Sequence, residues 1–291
     1  MLNSISQYLN RQYNNRGMLM IIGGAEDRTD EKYVLQNVVE YSKATTISVI
    51  PSASGYPVGL GEDYYYAFNQ LGVTDVRILD MRSPEDAMKE ENLKHIRESN
   101  LVFMTGGDQV RLFNVIGNTP LANLIRERHF HDGLSVAGTS AGAAIVSNPM
   151  IYDGSQLGLY KGRVHFSEGL GLMEGVTVDT HFVARGRLGR LTQFLCTGIS
   201  THGIGVGEDT GLFIKPDFTA DVIGTGMVSV VNTNNAQFNN YDEIEEDMPI
   251  SIQGINAGFL QDGTTFDLKT WSIVSSVPKK NEEAILRAEE Y

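Results

Sequence analysis

Three short apolar runs in this chain each end in a glycine-rich turn, and that repetition constrains the fold more than any single motif does. Residues 18–22 lead into Gly23 and Gly24, residues 101–104 into Thr105, Gly106 and Gly107, and residues 134–137 into Gly138. A short continuous apolar run is the pattern of a strand buried on both faces. Two further strands are read over residues 46–50 and 76–80. Helical patterns fill the intervals, over residues 31–43, 62–71, 110–116 and 121–128. Ser83, Pro84, Glu85 and Asp86 mark another helix start, with an N-cap residue, a proline at the first helical position and acids in the first turn. Strand and helix alternating in this way predict an α/β fold, a three-layer doubly wound sheet that is mainly parallel. The glycine-rich turns would then open on one edge of the sheet, where ligands bind.

The third turn reads Gly138-Thr139-Ser140-Ala141-Gly142 and matches G-x-S-x-G. Such a strand-to-helix turn lifts a serine out of the sheet and faces the following N–H toward an oxyanion. Gly23-Gly24 lacks the full G-x-G-x-x-G pattern, so a dinucleotide-binding reading is weak.

The 291 residues, 41% of them hydrophobic, hold ample material for a core. No linker, repeat or low-complexity segment divides them, so one domain over 1–291 is expected. The net charge of -13 argues against nucleic acid as a partner. The single cysteine, Cys196, excludes a disulfide within the chain and a Cys-rich metal site, and is expected to be buried. No signal peptide or membrane-length apolar run is read, which makes a cytoplasmic location the expectation. Residues 1–17 read as a polar arm or short helix, and residues 151–175 as an irregular connection over the active-site face. A β-rich antiparallel extension is expected over about 216–278, with an exposed acidic loop over 233–248, and a charged helix or tail over 279–291.

A serine nucleophile needs a base, and the base an orienting acid. Of the histidines, His95 reads as a surface residue and His129 and His131 as helix-end residues. His165 lies in the irregular connection and His202 in a loop. His181 follows the strand over 176–179, beside Asp179, on the edge expected for Ser140. It is the best base. Glu208 is the leading acid, with Asp209 and Asp179 as rivals. An α/β-hydrolase order would use Ser140, Asp179 and His202, but no HGGG-type segment supports it. Arg185, Arg187 and Arg190 could bind a carboxylate bidentately.

Taken together, residues 22–27, 51–54, 105–109, 138–143, 179–190 and 203–208 resemble the cyanophycinase family. That family is grouped with aspartyl dipeptidases among serine peptidases that share a fold with class I glutamine amidotransferases. The similarity spans roughly residues 18–215. It implies a flavodoxin-like fold and an exopeptidase that degrades cyanophycin, a poly-aspartate with arginine on each β-carboxyl, to β-Asp-Arg dipeptides. It also implies Ser140 as nucleophile, His181 as base and Glu208 as acid, with Gly107 and Ala141 as oxyanion donors. Gln109, Asp179, Thr180, Arg185, Arg187 and Arg190 would shape the substrate pocket. The family is usually homodimeric and metal-free, and no cofactor is expected. Thr180 stands where the family often has Gln, which bears on side-chain preference. The alternatives are a dipeptidase acting on aspartyl or isoaspartyl peptides and a non-catalytic binding homologue. An amidotransferase would need a cysteine where Ser140 stands.

Overall fold

The structure is a computed structural model and describes residues 5–154 and 158–277; the tail expected over 279–291 lies outside the described residues. The expected central strands form where the apolar runs stand: β1 (Leu19–Ile22), β2 (Thr46–Ile50), β3 (Asp75–Ile78), β4 (Leu101–Met104) and β5 (Ser135–Thr139). Further along come β6 (Val176–Asp179), β7 (His202–Val206), β8 (Thr210–Ile214), β9 (Thr219–Gly224), β10 (Val228–Asn232), β11 (Asn256–Leu260), β12 (Thr264–Asp267) and β13 (Ser272–Ser276). The main sheet has nine described strands, in the order β13-β12-β9-β8-β1-β5-β4-β2-β3. Its half from β1 to β3 is parallel, and the remainder from β8 outward is antiparallel. A second sheet has the order β6-β7-β10-β11.

The helices are α1 (Ile5–Leu9), α2 (Tyr33–Ser42), α3 (Pro57–Gln70), α4 (Pro84–Ala87), α5 (Glu90–Glu98), α6 (Gln109–Ile116), α7 (Pro120–His131), α8 (Ala141–Ala144) and α9 (Leu188–Leu195). Side chains alternate across a strand, and β1 shows the result. Leu19 and Ile21 join a cluster with Leu112, Ile116 and Leu121 of α6 and α7, whereas Met20 and Ile22 join Val34, Leu35 and Phe68 of α2 and α3. The parallel half is thus covered by helices on both faces, as expected. The second sheet packs on the α6 and α7 side, because Val176, Val178, Ile204 and Val230 share the cluster of Leu19 and Ile21.

Four details differ from the sequence reading. β6 and β7 do not extend the main sheet, since β1 already lies between β5 and β8. They pair parallel with each other instead. α3 starts at Pro57 rather than at residue 62, with the proline in its first turn, and carries Gly61 where a larger residue would press on Ile78. The connection over 151–175 holds a hairpin of Met150–Gly154 with Val164–Ser167. The N-terminal segment is anchored: Tyr8 is fully buried and donates to Leu172 O at 2.7 Å, and Arg11 makes a two-pronged pair with Glu174. Among the described residues no helix is long and apolar enough to cross a membrane.

Candidate active site

The elbow is built as its glycines require. Ser140 sits between β5 and α8 with φ 51 and ψ -110, a strained setting for a residue with a side chain. Side chains at Gly138 and Gly142 would overlap the carbonyls of Gly142 and Met104. α8 is a single turn, so the N–H of Ala141 at its start has no intrahelical acceptor. Gly106 and Gly107 line the same cleft from the end of β4. Asp108 fixes that turn by accepting from the N–H groups of Val110 and Arg111 at 2.8 and 3.0 Å.

His181 follows β6, also at positive φ. Its Nε2 lies 2.8 Å from Ser140 Oγ, and its Nδ1 lies 2.6 Å from Glu208 Oε1. A carboxylate only accepts, so Nδ1 carries the proton and Nε2 is left to accept from the serine hydroxyl. Burial lowers the His181 pKa below the ordinary histidine value; the hydrogen bond to Glu208 opposes that shift, and Arg185 adds to it. The imidazole is therefore neutral at neutral pH, the form a general base needs.

Backbone hydrogen bonds hold this group to one short segment. Ile22 O accepts from the Ser140 N–H at 3.0 Å, Gly23 O from the His181 N–H at 2.8 Å, and Gly24 O from the Asp209 N–H at 2.9 Å. Three successive carbonyls at the end of β1 thus set the spacing of the serine, the histidine and the turn that carries Glu208. Gly24 abuts the His181 ring, and any side chain there would overlap the imidazole.

The other candidates separate into two groups. Asp209 is turned away, accepting from the Asp27 N–H at 3.2 Å and from Thr225 Oγ1 at 3.0 Å. Asp179 is buried and accepts from Arg190 Nη2 and Nε at 2.5 and 2.9 Å, and from Arg187 Nη1 at 3.3 Å. Arg187 also donates to Thr180 O, and Thr180 is buried. Of the three arginines only Arg185 lines the cleft beside Ser140, a space of about 300 Å³. Gln109 donates to Ile151 O at 3.0 Å, joining α6 to the hairpin. His202 packs on Trp271 and contacts Thr201, so the order Ser140, Asp179, His202 is not assembled. Cys196 is buried, which raises its thiol pKa to about 11.

Sequence reading missed Glu26, Arg28 and Tyr64, which line the same cleft. Glu26 is buried and accepts from Tyr64 OH and, at 2.6 Å, from Thr139 Oγ1, next to the nucleophile. Burial raises its pKa. The available signal was the helical spacing of Tyr64, Ala67 and Phe68, which turns that tyrosine inward.

The family model described as peptidase family S51 matches residues 19–221. A curated cyanophycinase from Synechococcus elongatus is 34% identical over 275 residues, covering 94% of this chain and 85% of that protein. Another from Geminocystis herdmanii is 34% identical over 259 residues, covering 88% and 95%. A solved peptidase from an acI-B1 Actinobacterium shares the fold with a TM-score of 0.67 at 21% identity, over 88% of this chain and 99% of that one. The family match and the curated relatives identify a serine-type peptidase, a hydrolase. The chain belongs to peptidase family S51.

Proposed function

We propose that this chain is a cyanophycinase, a serine-type exopeptidase that releases β-Asp-Arg dipeptides from cyanophycin. The observation that carries the reading is the continuous relay from Ser140 through His181 to Glu208. The names of its curated relatives support the choice of substrate. His181 Nε2 takes the proton of Ser140 as Oγ attacks the peptide carbonyl carbon. Glu208 stabilises the imidazolium that results. The N–H groups of Ala141 and Gly107 receive the oxyanion, each such donor being worth about 3 kcal/mol of barrier. His181 then gives its proton to the leaving amine, which departs as the C–N bond breaks. Water, deprotonated by the same histidine, hydrolyses the acyl-enzyme and frees Ser140. Arg185 is assigned to a substrate carboxylate. Arg187, Arg190 and Asp179 act behind it as a scaffold for the turn, and Gln109 and Thr180 shape the cleft through backbone partners. A cytoplasmic homodimer is the expected working form, to be checked by sedimentation and cell fractionation.

The test is incubation of the purified protein with insoluble cyanophycin and mass spectrometry of the soluble products. Wild type should release β-Asp-Arg, and Ser140→Ala should release none while still binding the polymer. Release by the variant would remove Ser140 as nucleophile. Cleavage of short isoaspartyl peptides without release from polymer would move the assignment to a dipeptidase.

A further inference from the structure

Arg28 lines the cleft beside Ser140. That residue also walls a second depression of about 270 Å³, lined by Thr29, Asp63, Tyr66, Ala67 and Gln70. Arg28 Nη1 lies 3.5 Å from Asp63 Oδ2, with the two side chains 36% and 59% exposed. A loose, solvent-open pair of this kind contributes little to folding. The Arg28 guanidinium nevertheless has a fixed neighbour, the ring of Tyr64 at 5.4 Å, and Tyr64 is buried and tied to Glu26. Tyr66, on the same helix as Asp63, is 63% exposed.

We propose that this depression is the subsite for the arginyl branch of the unit adjoining the one being cleaved. The proposal rests on the cyanophycinase reading above. An arginine joined through its α-amine to an aspartyl β-carboxyl keeps two free charges, an α-carboxylate and a guanidinium. Arg28 and Asp63 present the complementary two, side by side. An incoming branch exchanges partners with them: its carboxylate meets Arg28, and its guanidinium meets Asp63 across the face of Tyr66. One exposed ion pair is replaced by two, so neither protein charge is stranded. Because Arg28 borders both spaces, a branch held there would lie beside the cleft that contains Ser140.

Three synthetic β-aspartyl oligomers test this. The first carries arginine on every unit. The second carries alanine on the adjoining unit, which keeps the carboxylate alone. The third carries agmatine there, which keeps the guanidinium alone. Wild type should prefer the first over each of the others by about three- to fivefold in KM, the range of an exposed ion pair. Asp63→Asn should erase the preference over the alanine oligomer but retain the preference over the agmatine oligomer. Arg28→Met should show the reverse, and Asp63→Glu should restore discrimination. Variants that discriminate as wild type does, or lose both preferences together, overturn the subsite. A wild type that cleaves none of the oligomers and releases nothing from polymer overturns the cyanophycinase reading itself.

Discussion

In the proposed mechanism the chemistry turns on the protonation state of His181. Its pKa is lowered, first by burial, so the neutral base persists below the ordinary histidine value and is lost as pH falls through the lowered one. On a soluble β-aspartyl peptide, kcat/KM should be level at neutral pH with an acid limb below about 6.5. Glu208 raises the His181 pKa, so Glu208→Gln should move that limb to lower pH and cut the rate by about 10²–10⁴-fold. A limb that moves upward would exclude Glu208 as the partner of Nδ1. The contact between Ser140 and His181 was legible because each follows an apolar run at a strand end. The choice between Glu208 and Asp209 was not, since adjacent residues share every local signal. It is made by the positive φ of Asp209 and by the Asp27 N–H that takes its carboxylate. Arg187 and Arg190 read as substrate ligands for the same reason: their ion pair with Asp179 is a tertiary contact, invisible in local spacing.

At the scale of elements, the unit to consider is β6, the turn bearing His181 and Arg185, and α9. Asp179 at the end of β6 and Arg190 in α9 close that unit from inside, both at 3% exposure. Asp179→Ala would leave a buried guanidinium without its anion, at a cost of about 3–5 kcal/mol. Urea titration should show that loss, and the double variant Asp179→Leu with Arg190→Met should be less destabilised than the single. Equal or greater loss in the double variant would mean that packing, not charge, dominates there. Legibility was uneven at this scale as well. The helix at Ser83 was readable because its capping box is local, and Ser83 and Asp86 do cap each other reciprocally. The separation of β6 and β7 into a second sheet was not readable. Their apolar runs match those of the central strands, and only the pairing of β1 with β8 excludes them.

For the whole molecule, two buried histidines outside the relay are expected to lower stability in acid. Burial lowers the His129 pKa to about 3 and the His202 pKa to about 4. The unfolded chain protonates both near the ordinary value while the native state keeps them neutral, so stability falls as pH drops below about 6.5. Each contributes up to about 1.4 kcal/mol per pH unit until its native pKa is reached. Urea midpoints at pH 7, 6 and 5 should decline in step; a constant midpoint would refute the assignment. Because the carbonyls of Ile22, Gly23 and Gly24 hold the partners in succession, the alignment of the relay is written in main chain rather than side chains. Side-chain drift along β1 leaves that phase untouched, whereas adding or removing one residue there would put the nucleophile, the base and the acid out of step together. Within β1 one apolar residue can replace another, whereas Gly23, Gly24 and the length of the stretch are fixed.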